Sequence, residues 1–163
     1  MIWLGLVLII LAVCFGGVLL FGAPYLPTLK PQILAALELA DLKPGNTLLE
    51  LGCGDGRVLL AAAKRGYNAV GYELNPLLAA IAWLRTRRYR RQVRVVWGDF
   101  WRADWPPAEV VFTFLLTKYM PKLDKKVMRY AHKPVKLVSY AFTIPGKPPA
   151  AAKNGVYLYR YER

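Results

Sequence analysis

The 163-residue sequence is poor in the side chains that build metal centres and nucleophile–base pairs. It holds one histidine and two cysteines. His132, in AHKP, has no second histidine or cysteine close by and reads as a surface or helix-end residue. Cys14 lies in an apolar run and Cys53 in a glycine-rich turn, so the two suggest neither a disulfide framework nor a zinc site. Both read as free thiols, and no metal ligand set is expected. Acids are scarce as well: 10 Asp and Glu stand against 23 Lys and Arg, a formal net charge of +13. That balance favours an anionic neighbour without choosing among nucleic acid, an acidic protein surface and anionic lipid. Core-forming residues are not lacking. At 56% hydrophobic the chain is not a disordered protein, and its length suits one domain with a short extension. There is no internal repeat, and no low-complexity tract beyond the loop IPGKPPAAAKNG.

Charge and proline are absent altogether from residues 2–21, IWLGLVLIILAVCFGGVLLF. At 1.5 Å per residue a helix of that length spans about 30 Å, the thickness of a bilayer's hydrocarbon core. No Lys or Arg precedes the run, which is also longer than a typical signal core. We therefore expect a retained transmembrane anchor over 1–22. Residues 23–31 carry prolines at 24, 27 and 31 and form a stiff connector. A folded domain then fills 32–163. The charge bias places that domain on the cytoplasmic side of a single-pass membrane protein.

Beyond the connector, apolar strands alternate with helical stretches. A helix is expected over about 31–40, with Pro31 in its first turn. Strands are expected at TLLEL (47–51), NAVGYE (68–73), VRVVW (93–97), EVVFTFL (109–115) and PVKLVSYAF (134–142). Helices are expected at 57–65, from Pro76 to about Tyr89, and at about 119–130. GVYLYRYE (155–162) would close the sheet as an edge strand. The alternation predicts an α/β domain with a mostly parallel sheet of about six strands and helices on both faces.

The first strand runs into LLELGCGDGR (48–57). Glycine turns after strands commonly cradle phosphates, yet Gly52, Gly54 and Gly56 stand between two acids, Glu50 and Asp55. The dinucleotide pattern G-x-G-x-x-G fails, because Arg57 occupies its last position. The G-K-[ST] of a P-loop is missing too. A pyrophosphate here would be repelled by the carboxylates, so the ligand should lack phosphate and carry a positive group. S-adenosylmethionine, with a sulfonium and an ammonium, meets that description. Glu73 ends the second strand, where an acid accepts ribose hydroxyls in related nucleotide folds. Asp99, in WGDF after the third strand, is suited to the adenine amino group, with Phe100 packing on the ring.

LELGCGDGR, YELNP and GDF, at these spacings, resemble the class I S-adenosylmethionine-dependent methyltransferases over about residues 30–142. PYLPT ahead of the glycine turn, behind an apolar N-terminal run, is similar to a narrower group: the small membrane-anchored lysine methyltransferases that modify the adenine nucleotide translocase and the ATP synthase c-subunit. The resemblance implies a Rossmann-like fold and an S-adenosyl-L-methionine cofactor. It implies cofactor roles for Glu50, Gly52, Cys53, Gly54, Asp55, Gly56, Glu73, Leu74, Asn75, Asp99 and Phe100. It places Tyr25 and Thr28 near the methionine end of the cofactor, and Thr117 and Tyr119 in FLLTKYMP join them as candidates for the substrate channel. The Asn/Asp-Pro-Pro-Tyr of many other amino-group methyltransferases is missing after the fourth strand, which weighs against adenine, cytosine or glutamine amide acceptors.

RTRRYRRQVR (85–94) remains outside that pattern. Its arginines, with Tyr89 among them, suit RNA, an anionic lipid surface or a solvated helix end. The acceptor expected is a lysine of a membrane protein. The alternatives are RNA and a non-catalytic cofactor-binding membrane protein.

Overall fold

The computed structural model describes Gly5 and residues 26–131 and 133–162. Apart from Gly5, the expected transmembrane run over 2–21 lies outside the described residues, as do Tyr25 and His132. Among the described residues no helix is long and apolar enough to cross a membrane.

From Leu26 to Leu29 the connector has no regular structure, and Pro31 enters the first turn of α1 (Lys30–Ala40). The strand–helix alternation then follows: β1 (Thr47–Leu51), α2 (Arg57–Ala63), β2 (Asn68–Glu73), α3 (Pro76–Thr86), β3 (Val93–Trp97), β4 (Val110–Thr113), α4 (Met120–Tyr130), β5 (Val135–Tyr140), β6 (Ala151–Lys153) and β7 (Val156–Tyr161). Asn75 caps α3, its Oδ1 accepting from the N–H groups of Leu77 at 2.9 Å and Leu78 at 3.3 Å.

The sheet order is β3-β2-β1-β4-β5-β7-β6. Strands β1 to β5 run parallel, β7 lies antiparallel to β5, and β6 is antiparallel to β7. The count of about six strands is thus corrected to seven. GVYLYRYE is not the edge either: β7 pairs on both sides, and β6 is the edge strand. The missed strand starts inside the alanine stretch read as loop. It folds back through Asn154-Gly155, both at positive φ, the two-residue hairpin turn that those residues favour.

Alternation along the strands sorts two cores. Leu48, Phe112 and Val138 face α1 and α2, packing with Leu37, Val58 and Leu59. Leu49, Leu51, Val111 and Leu137 face the other way, onto Met120, Leu123 and Val127 of α4 and onto Trp105. The central strands are buried on both faces, so the polar atoms a ligand can reach lie at their carboxyl ends.

Candidate cofactor cleft

At the carboxyl edge of the sheet a cleft of about 360 Å³ opens between the connector and the ends of β1 to β5. Residues of every loop on that edge line it: Glu50 to Asp55 except Leu51, then Glu73 and Leu74, Asp99 to Trp101, Phe114, and Phe142. Leu26, Pro27 and Thr28 form the connector side.

Glu50 is the most unusual of these residues. It is buried, and its Oε2 has no hydrogen-bond partner. Burial, then the neighbouring carboxylates of Glu73 and Asp55, push its pKa well above the usual carboxylate range. An unpaired polar atom in a protein interior is costly, so this carboxyl is suited to a hydrogen-bonding or cationic group of a ligand. Glu73 is held from two sides: its Oε2 accepts from the Gly54 N–H at 2.8 Å and its Oε1 from the Asn75 N–H at 2.9 Å. Each oxygen keeps a second lone pair. The same two bonds tie the glycine turn to the start of α3.

Asp55 is engaged differently from Glu50. Its Oδ1 accepts from Arg57 Nε at 3.0 Å, its Oδ2 from Arg57 Nη2 at 2.9 Å, and Arg85 Nη1 also reaches Oδ2. Arg57 further donates through Nη1 to the Thr28 carbonyl at 3.3 Å. The acid thus organises a clasp between turn, α3 and connector, a role that the sequence does not reveal. In the sequence Arg57 stands out only as the residue that breaks a dinucleotide motif, and Arg85 only as part of the basic cluster.

The glycines have distinct tasks. Gly52 sits at φ 79 with no atom within 4 Å of where a Cβ would be, so the backbone is open to a ligand. At Gly56, φ 76, a Cβ would come 2.9 Å from the Cα of Ala82, which lets α2 pack against α3. Cys53 is buried, and burial, then Glu50 and Glu73, raise its thiol pKa far above the ordinary value. It is a packing residue, inert as a nucleophile.

Asp99 lies on the cleft wall and accepts from the Trp101 N–H at 2.8 Å. Phe100 is tilted against Trp101 with ring centroids 4.8 Å apart. Thr28 is buried and Tyr119 half-buried, both on the cleft. Thr117 is exposed in the 3₁₀ turn Thr117–Tyr119 and is not among the cleft-lining residues. Trp101, Phe114, Leu116 and Phe142, also on the wall, were absent from the sequence candidates. Their signal was positional: Trp101 directly follows GDF, and Phe114 and Phe142 lie just past the ends of β4 and β5.

These residues fit S-adenosylmethionine. The cleft combines an orphaned buried carboxyl, an open glycine backbone and aromatic walls, and its two interior acids would oppose a phosphate. Among the described residues no cluster could hold a metal ion.

Fold, cleft and cofactor chemistry together define a class I S-adenosylmethionine-dependent methyltransferase domain. Comparison with known proteins narrows this. The family model of the ANTKMT methyltransferase domain matches residues 50–151, and the chain belongs to that family. It is 34% identical over 149 residues to a protein-lysine N-methyltransferase of Saccharolobus islandicus, covering 83% of this chain and 92% of the relative. It is 32% identical over 130 residues to the ATP synthase c-subunit lysine N-methyltransferase of Xenopus laevis, covering 77% of this chain and 56% of that protein. The chain therefore spans little more than half the length of such relatives. Among solved structures, an RNA methyltransferase from Salinibacter ruber with bound S-adenosyl-L-homocysteine superposes with a TM-score of 0.75 at 31% identity, covering 83% of this chain and 92% of that one.

Proposed function

We propose that the protein transfers methyl groups from S-adenosylmethionine to a lysine side chain, and that its natural acceptor is a membrane protein. The observation that carries the acceptor class is the near full-length match to a protein-lysine N-methyltransferase. The membrane substrate is inferred from the relative that acts on the ATP synthase c-subunit, together with the apolar run 2–21. In this reading residues 1–22 anchor the protein, 23–31 connect, 32–163 catalyse from the cytoplasmic side, and Arg85–Arg94 lie near anionic lipid.

The bound cofactor supplies an electrophilic methyl group and a fixed positive charge. Glu50 pairs with a cationic group of that ligand, and Glu73 uses its free lone pairs on the ribose hydroxyls. Asp99 receives the adenine amino group, and Phe100 covers the ring. Gly52, Gly54 and Gly56 shape the turn, while Cys53, Leu74 and Asn75 fill and brace its sides. Tyr25 and Thr28 on the connector, with Tyr119 after β4, guide the acceptor.

A lysine amine must lose its proton before it can react, and its free pKa is near 10.4. The apolar wall of Phe114, Leu116 and Phe142 desolvates the incoming group and favours the neutral form. Catalysis then rests on orientation, with the amine about 3–3.5 Å from the methyl carbon in line with the bond that breaks. No strong base is required.

The likeness to the Salinibacter RNA methyltransferase supports a second reading, in which the basic surface holds RNA. Labelled-methyl transfer into membrane, soluble-protein and RNA fractions of the source cell separates the two. Label in membrane protein is the expected result. Label confined to RNA would overturn the lysine reading.

A further inference from the structure

Exposed apolar side chains gather on one face of the domain. Six of the ten large hydrophobic residues exposed among the described residues are Leu74, Leu77, Ile81, Trp83, Leu84 and Trp97. Helix α3 buries Leu78, Ala79 and Ala82 against the sheet and leaves Leu77, Ile81 and Leu84 outward, a stripe at i, i+4, i+7. Trp83 and Trp97 flank it, 63% and 69% exposed. The Trp97 indole N–H donates to the Leu74 carbonyl at 3.1 Å, which holds the ring of β3 beside the start of α3.

The charge around this stripe has one sign. Residues 74–98 contain no Asp or Glu. Arg85 turns inward to Asp55, while Arg87, Arg88, Arg90, Arg91 and Arg94 are exposed. A contiguous apolar patch rimmed by polar residues marks an interaction site. Apolar side chains on one side of a helix, with arginine and tryptophan at the border, are suited to the boundary between headgroups and acyl chains. A two-fold contact with a second copy would set arginine against arginine. Nucleic acid would satisfy the arginines and leave the Leu77–Ile81–Leu84 stripe in water.

We propose that the outer face of α3, with Trp97 of β3 and the arginines of residues 87–94, docks on the surface of an anionic bilayer. The stripe enters the headgroup boundary and the guanidinium groups meet lipid phosphates. Leu74 belongs both to this face and to the cleft lining, so docking brings that wall of the cleft close to the membrane. The proposal rests on the membrane reading above and adds a contact separate from the anchor.

The test uses full-length protein carrying Cys14→Ser and Ala80→Cys, labelled at position 80 with an environment-sensitive fluorophore. Ala80 is exposed beside the stripe, and Cys53 is buried. Vesicles carry brominated acyl chains in phosphatidylcholine alone, or with about one-third phosphatidylglycerol. The expected result is strong quenching only on the anionic vesicles. A label at Ala152→Cys, exposed on β6 at the far side of the sheet from β3, should stay bright. Replacing Arg87, Arg88 and Arg91 with Glu should lower the docked population by on the order of 100-fold. An unquenched label on anionic vesicles overturns the docking, as does a label that responds to added RNA or to protein concentration and not to vesicles. Carbonate extraction of the same vesicles reports the anchor independently, so either contact can fail while the other stands.

Discussion

Replacing Glu50 with Gln removes the charge that the cleft holds in reserve while keeping its shape. In the free protein the carboxyl is buried with Oε2 unpartnered, and its pKa lies well above 4.5. Between the unfolded and the raised native pKa, the folded chain holds a proton that the unfolded chain has lost. Stability therefore falls as pH rises through that window, and the loss is complete above the native pKa. Glu50→Gln has no such slope. The ligand-free variant should thus melt above the parent at pH 8, with a gap that narrows toward pH 5. Cofactor binding should change in the opposite sense. Losing a hydrogen bond to a charged group costs about 1.5–3 kcal/mol, or roughly 10- to 150-fold in affinity. Calorimetry in two buffers of different ionisation heat should also show a proton released by the parent on binding below the raised pKa, and none by the variant. If Glu50→Gln binds S-adenosylmethionine as tightly as the parent and follows its melting curve at every pH, the assignment of Glu50 as the cation partner is wrong.

Glu73→Ala strands the N–H groups of Gly54 and Asn75. It should lower both Tm and cofactor affinity, with about 1–3 kcal/mol lost per buried donor, whereas a loss of affinity at unchanged Tm would contradict the bracing role. Gly56→Ala places a methyl 2.9 Å from the Ala82 backbone at a positive φ. It should destabilise the domain by at least about 1–3 kcal/mol in chemical denaturation. Cys53 should resist alkylation at pH 8 in the folded protein and react on denaturation; rapid labelling under native conditions would show that the turn opens. Deleting residues 1–22 should reduce methylation of a membrane-embedded acceptor far more than of a soluble peptide, and equal rates on the two would refute the anchor.

The parts of the fold legible in the sequence are those governed by local patterns. β1, β2 and β3 run over the expected residues because the apolar strands are stopped there by Gly52, Asn75-Pro76 and Gly98. β6 was hidden because three residues of Ala-Ala-Lys carry almost no strand signal, and only Asn154-Gly155 announced the hairpin. In the cleft, the positions of Glu50, Glu73 and Asp99 follow from strand order alone. The state of Asp55 does not, since its pairing with Arg85 joins residues far apart in sequence whose meeting depends on how α3 packs. The face of α3 was similarly hidden. Its arginines were visible as a cluster, but only the fold separates buried Leu78 from exposed Leu77 and Leu84.

The chemical identity of the methylated product decides whether this domain is a lysine methyltransferase. Full-length protein is incubated with methyl-labelled S-adenosylmethionine and membranes of the source cell, and the labelled protein is hydrolysed to amino acids. Label is expected in ε-N-methylated lysine, and should be absent when Glu73→Ala replaces the parent. Label recovered as a methylated nucleoside, or as any amino acid other than methyl-lysine, would contradict lysine as the acceptor.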